Sequence, residues 1–306
     1  MNAVAIGLGS LRALRSAMRR GPAVTARFGG VLDGRTLNLD LPVPGIAAAD
    51  VTSAEIRIRR GLSTHAVQAR VRSDVGGSCA VAATALLAGG ARGLGLQSGA
   101  PWLVDLVVWT GGRPRSYAVL AADPAAAVDG PTLAAPPDPV TGWRYEIRAG
   151  RTRRLCLQAV PPGPTAEVTA VHVDWLEASF AVRVLGGAQA GGRVEFTART
   201  GEGRTTATTE PAPDGVRCRI PLRELAFRGG EKETFFDVHL RTGKQRLRVG
   251  RFLHDVSAPK TVLVPPTGIV WADHGLAVQL RPYYTPAGNF TIACRPLGSL
   301  SANGVS

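Results

Sequence analysis

Lysine is nearly absent from this chain: Lys232, Lys244 and Lys260 stand against 33 arginines. The formal charge of +13 is spread along the length with no dense basic block, so an anionic partner is favoured and no specific nucleic acid is implied. Aromatic residues make up only 6%, which weakens any reading as a stacking surface for single strands. No apolar run reaches the roughly 20 residues that span a bilayer. The four cysteines, Cys79, Cys156, Cys218 and Cys294, fit neither C-x-x-C zinc spacing nor a disulfide-dense scaffold.

Catalytic signatures are missing too. The glycine-rich stretches at 6–10 and 93–99 match neither G-x-G-x-x-G nor the phosphate loop of nucleotide hydrolases, so they read as turns and no cofactor is implied. Gly76-Gly77-Ser78-Cys79-Ala80 fails the nucleophile-elbow pattern at its last position. Among the five histidines, His172 and Asp174 would share one face of a strand, yet two ligands without a third make no metal site. No acidic residue lies in an aromatic-rich context of the kind a glycosidase cleft needs.

What is present is strand pattern. Alternating runs such as 54–60, 66–72, 102–109, 178–186, 192–200, 235–243, 276–282 and 289–296 are separated by Gly, Pro, Asp and Asn. Helical periodicity is nearly absent beyond the first twenty residues. The expectation is an all-β protein of two tandem, related, immunoglobulin-like β-sandwiches at 24–160 and 166–298. A basic leader at 1–23, helical or irregular, and a tail at 299–306 flank them. Within the leader, 8–20 could present arginines to an anionic membrane surface from the cytoplasmic side; its arginines follow the apolar run, unlike those of a signal peptide.

The domains are related by a weak internal repeat. Leu103 to Gly111 matches Phe235 to Gly243, each with an aspartate (Asp105, Asp237) five positions before Thr-Gly. Tyr145 to Arg148 parallels Val278 to Arg281, and the cysteines recur at separations of 77 and 76. The two aspartates are read as structural, bonding backbone amides or a neighbouring arginine. Each cysteine pair could face across its core, as free thiols in a reducing cytosol or, with export, as one disulfide per domain. Near the end, Trp271, Tyr283, Tyr284 and Phe290 form the densest aromatic group; Trp271, Tyr283 and Tyr284 are a candidate platform for a sugar ring, with Arg281 for a phosphate. The competing reading of Tyr283 and Tyr284 is a structural corner with one ring packed inward.

The last third, with Phe236-Asp237-Val238-His239-Leu240, Arg246 to Phe252, and Arg281-Pro282-Tyr283-Tyr284-Thr285-Pro286-Ala287-Gly288-Asn289, resembles a known group. It is similar to the β-sandwich modules attached to actinobacterial envelope glycosyltransferases and CDP-glycerol glycerophosphotransferase-like, teichoic-acid-type enzymes. In that family the transfer chemistry belongs to a separate α/β domain for which this chain has no room. The resemblance therefore implies a non-catalytic accessory protein of envelope polymer synthesis, binding either an anionic glycopolymer or a glycosyltransferase. The alternative is a glycosyl or glycerophosphate transferase with an unrecognised active site.

Overall fold

The computed structural model describes residues 22–122, 133, 135–150, 152–187, 191–200, 203–228, 232–271 and 276–299. The leader and the tail expected from the sequence lie outside them, apart from residues 22, 23 and 299. Among the described residues no helix is long and apolar enough to cross a membrane. The chain is all-β and divides into two compact units. The first takes in the residues up to 122 with 135–138 and 143–160; the second takes in 133, 139–142 and everything from Pro161 onward. The sequence expectation missed that residues 139–142 belong with the second unit. Arg183 holds them there, donating to the carbonyls of Pro139 at 3.0 Å and Val140 at 3.2 Å.

The first unit runs β1 (Ala23–Thr25), β2 (Phe28–Val31), β3 (Thr36–Ala47), β4 (Val51–Arg60), β5 (Ser63–Ser73), β6 (Ser78–Leu86), β7 (Trp102–Thr110), β8 (Arg113–Leu120), β9 (Arg144–Ala149) and β10 (Leu155–Val160). Its ladder follows the order β1-β8-β7-β4-β5-β6-β3-β2, with β10 joining β7 and β9. Because β5 leaves β4 for β6 partway along, one continuous ladder folds over on itself as two faces. Alternation decides what lies between them. In β3, Leu37, Leu39, Leu41 and Val43 are buried while the residues between them are not, as the two-residue period of a strand requires. Each such side chain contributes roughly 1.5–3 kcal/mol by leaving water.

The second unit runs β11 (Thr165–Val173), β12 (Glu177–Leu185), β13 (Arg193–Ala198), β14 (Arg204–Thr206), β15 (Thr208–Ala212), β16 (Gly215–Pro221), helix α1 (Leu222–Arg228), β17 (Thr234–Thr242), β18 (Gln245–Gly250), helix α2 (Pro259–Val262), β19 (Gly268–Trp271), β20 (Leu276–Tyr284) and β21 (Phe290–Ser299). Its core gathers Phe180, Phe196, Phe236, Ile220, Phe290 and Ile292.

The two units repeat each other's strand pairing, and β19 is an addition in the second. In both, the opening segment runs parallel to one strand at one end and antiparallel to another further along: β1 with β8 and β2 with β3, then β11 with β18 and with β12. The partner switch of β5 is shared out between β14, which pairs β13, and β15, which pairs β16. The hairpins β7–β8 and β17–β18 close through two-residue loops, Gly111-Gly112 and Gly243-Lys244. Gly111, Gly112 and Gly243 have φ of 55°, 76° and 54°, which suits the turn type that matches strand twist.

The cysteine part of the expected repeat needs correction. All four thiols are free and buried, and Cys218 and Cys294 do share one core. Cys79 lies in the first core, whereas Cys156 does not. Cys156 stands opposite Leu103, on the outward side of β7, while Cys294 stands opposite Thr234 on the inward side of β17. A one-residue difference in register turns the side chain to the other face.

Candidate binding cleft

Register identifies what the repeat carries on its outer face. Arg57 pairs with Asp105 between β4 and β7, and Thr197 pairs with Asp237 between β13 and β17. Two residues either side, Glu55 and Arg59 therefore correspond to Glu195 and Arg199. Both aspartates bridge arginines. Asp105 pairs with Arg59 and Arg154. Asp237 Oδ1 accepts from Arg199 Nε at 2.9 Å and from Arg248 Nη2 at 2.6 Å. The structural role expected for these aspartates is thus filled by arginines, with the same first partner in each unit. Burial raises the Asp237 carboxyl, and hydrogen bonds from Arg248 and Arg199 outweigh it, holding the group below its usual 3.8.

Beside this bridge the second unit opens a cleft of about 500 Å³. Its aromatic wall is Phe235 and Tyr283, with ring centroids 6.3 Å apart at 81°. Three cations border it: Arg199 just after β13, Lys260 from α2 and Arg281 from β20. The Arg199 guanidinium lies 5.6 Å from the Phe235 ring and that of Arg281 5.5 Å from the Tyr283 ring, within cation–π range. Leu263, Val264 and Pro265 supply an apolar rim. Glu233 reaches Arg281 only at 3.9 Å across an exposed pair, so the cleft keeps its positive charge. Such a site can stack one face of a ring and hold an acidic group beside it.

The four residues expected to act together do not meet in one place. Arg281 and Tyr283 share the outer face of β20 and both line the cleft. Tyr284, next in sequence, points the other way and is 3% exposed in the core, its hydroxyl bonded to Arg251. Neighbours in a strand cannot share a face. Trp271 ends β19 and lines a separate hollow of about 360 Å³ with Trp175 and Leu176, all three exposed. Phe235, Arg199 and Lys260 were missed. The signal that could have found Arg199 is a second sequence echo, Ala54-Glu55-Ile56-Arg57-Ile58-Arg59 against Val194-Glu195-Phe196-Thr197-Ala198-Arg199.

The first unit keeps the two arginines of this arrangement, as Arg59 and Arg148, and lacks the rings. Arg148 pairs with Cys156 opposite Leu103, as Arg281 pairs with Ala293 opposite Phe235. Counting along the strands puts Leu103 in the place of Phe235 and Gly150 in the place of Tyr283. Among the described residues no three His, Cys, Asp or Glu side chains gather as metal ligands. Asp174 is used in a turn, where its Oδ1 accepts the amides of Leu176 and Glu177, each at 2.8 Å.

No protein-family model and no curated protein sequence matches the chain. Among solved structures, a crystal structure of S. aureus TarS residues 217–571 aligns with a TM-score of 0.36 at 11% identity, covering 74% of this chain and 61% of that one. A longer S. aureus TarS structure aligns at the same TM-score and identity over 65% of this chain and 35% of its own. This chain therefore spans less than two thirds of either.

Proposed function

We propose that the chain is a non-catalytic binding protein for an anionic glycopolymer of envelope synthesis, engaged through the Phe235–Tyr283 cleft. The observation that carries this is the aromatic pair set among Arg199, Lys260 and Arg281, built on a face whose counterpart in the first unit has Leu103 and Gly150. A core does not require that difference, because both positions point outward. Ring stacking supplies shape recognition, and the arginines supply a charge-assisted grip on phosphate. The resemblance of residues 232–296 to modules of envelope transferases supports the same setting.

The test copies the first unit into the second. Phe235→Leu with Tyr283→Gly is expected to weaken binding of poly(glycerol phosphate) by about tenfold or more, the scale of one or two lost stacking contacts. Circular dichroism and melting should change little. Binding should also weaken steeply with salt. Titration curves that are unchanged by the double substitution, or identical for an uncharged glycan, would remove the cleft from the function.

A further inference from the structure

A second feature of the outer face lies at the far end of β17 and belongs to no part of the aromatic cleft. Arg193 on β13 stands opposite Arg241 on β17, and Arg241 stands opposite Arg246 on β18. Three arginines thus form one row across three neighbouring strands. Like charges directly opposite each other destabilise a sheet, so this row needs a counter-charge.

Glu195 provides only one. It is 2% exposed, and its carboxylate pairs with Arg204 and lies 3.8 Å from Arg241 Nε and 3.6 Å from Arg246 Nε. Its Oε2 has no hydrogen-bond partner. A buried carboxylate is costly to leave unpaired, which keeps these guanidiniums gathered round it. Each guanidinium has five N–H donors in a planar fork and spends few of them on Glu195. Arg193 is exposed and has no carboxylate partner among the described residues. Arg246 spends its Nη2 on Thr197 and His239, whereas Arg193, Arg204 and Arg241 line an open cleft of about 1000 Å³ together with Thr206 and Thr209. Three positive charges thus stand there against one negative, and Glu195 holds Arg204 and Arg241 in place before any ligand arrives, which makes a preorganised receptor for an oxyanion.

We infer that Arg193, Arg204 and Arg241, set beside Glu195, form a second anion site that takes a phosphate or phosphodiester group. It stands on geometry separate from the Phe235–Tyr283 cleft and survives if that cleft fails. Glu195 acts as a positioning residue, and the arginines make the contacts.

The probe is tripolyphosphate, titrated calorimetrically into the whole chain, with the arginine Nε–H resonances followed by NMR. Arg193→Ala removes a donor without disturbing the pairs to Glu195 and is expected to weaken binding about fivefold or more; adding Arg241→Gln should abolish it. Tyr283→Ala should leave tripolyphosphate binding at this site unchanged, which separates the two proposals. The Arg193, Arg204 and Arg241 resonances should move on titration. Binding unaffected by Arg193→Ala, or shifts confined to Arg199 and Arg281, would overturn the second site whatever becomes of the first.

Discussion

His239 sits between the two anion-facing regions, and its titration can be followed on its own. Its Nδ1 lies 3.2 Å from Arg246 Nη2. Burial, with Arg246 and Arg248 nearby, lowers its pKa from 6.5 to about 4, so the folded chain carries it neutral and accepting. Between these two pH values the unfolded chain holds a proton that the folded chain does not, and stability therefore rises with pH across that window. Above it the contribution is complete. Asp237 works in a lower range: its stabilisation is present above its ordinary 3.8 and disappears as pH falls through its depressed folded value. Urea midpoints should climb from pH 4 to 6.5, and His239→Gln, which keeps an acceptor for Arg246, should flatten that climb. An undiminished slope in the variant would assign the effect to other groups. Little of this is legible in the sequence, because the shift depends on arginines brought alongside by register. The thiols show the same limit. Four cysteines at nearly equal separations suggested equivalent pairs, and a single residue of register separates Cys156 from that pattern.

At the level of strands, sequence and structure agree closely. Alternation in β3 and β17 marks the buried residues correctly, since burial on one face is what alternation records. It also separates Tyr283 from Tyr284, which a reading of the aromatic cluster as one group overlooks. What strand pattern does not disclose is which outward residues of different strands become neighbours. On β17 the outward set is Phe235, Asp237, His239 and Arg241. It starts at the aromatic cleft and ends at the arginine row, about 20 Å away at the rise of a strand. A single polymer with repeating phosphates could be held at both ends. Affinity for poly(glycerol phosphate) should therefore grow with chain length until that span is covered and then level off. Short chains should lose only the site that Tyr283→Ala or Arg193→Ala removes, and long ones should fall toward single-site affinity with either. A length-independent affinity would mean the two ends act separately.

For the whole chain, the duplication and the division near residue 160 were visible from the sequence, and the crossing of one loop was not. A boundary at the Pro-Gly stretch near 160–165 leaves out residues 139–142, which belong with the later unit through Arg183 and through Gly142, set beside Pro162, Leu185 and Leu253. Nothing in the local pattern of that loop reveals its destination, because what it offers Arg183 is its own backbone carbonyls. A fragment beginning at Pro161 should consequently melt below the same unit in the intact chain. Arg183→Ala should lower the melting midpoint of the intact chain by a few degrees, on the scale of about 1 kcal/mol per lost hydrogen bond. In the fragment it should do much less. Equal effects in both would place Arg183's contribution elsewhere.

The row formed by Arg193, Arg241 and Arg246 also bears on how this molecule behaves in different solvents. Its mutual repulsion is a strain that the folded state carries and that any suitable counterion relieves, so part of the folding free energy belongs to the buffer. Phosphate and chloride at equal ionic strength are then different environments for this protein, the first a stabiliser by mass action and the second only a screen. Its heat resistance becomes a property shared with whatever oxyanions surround it.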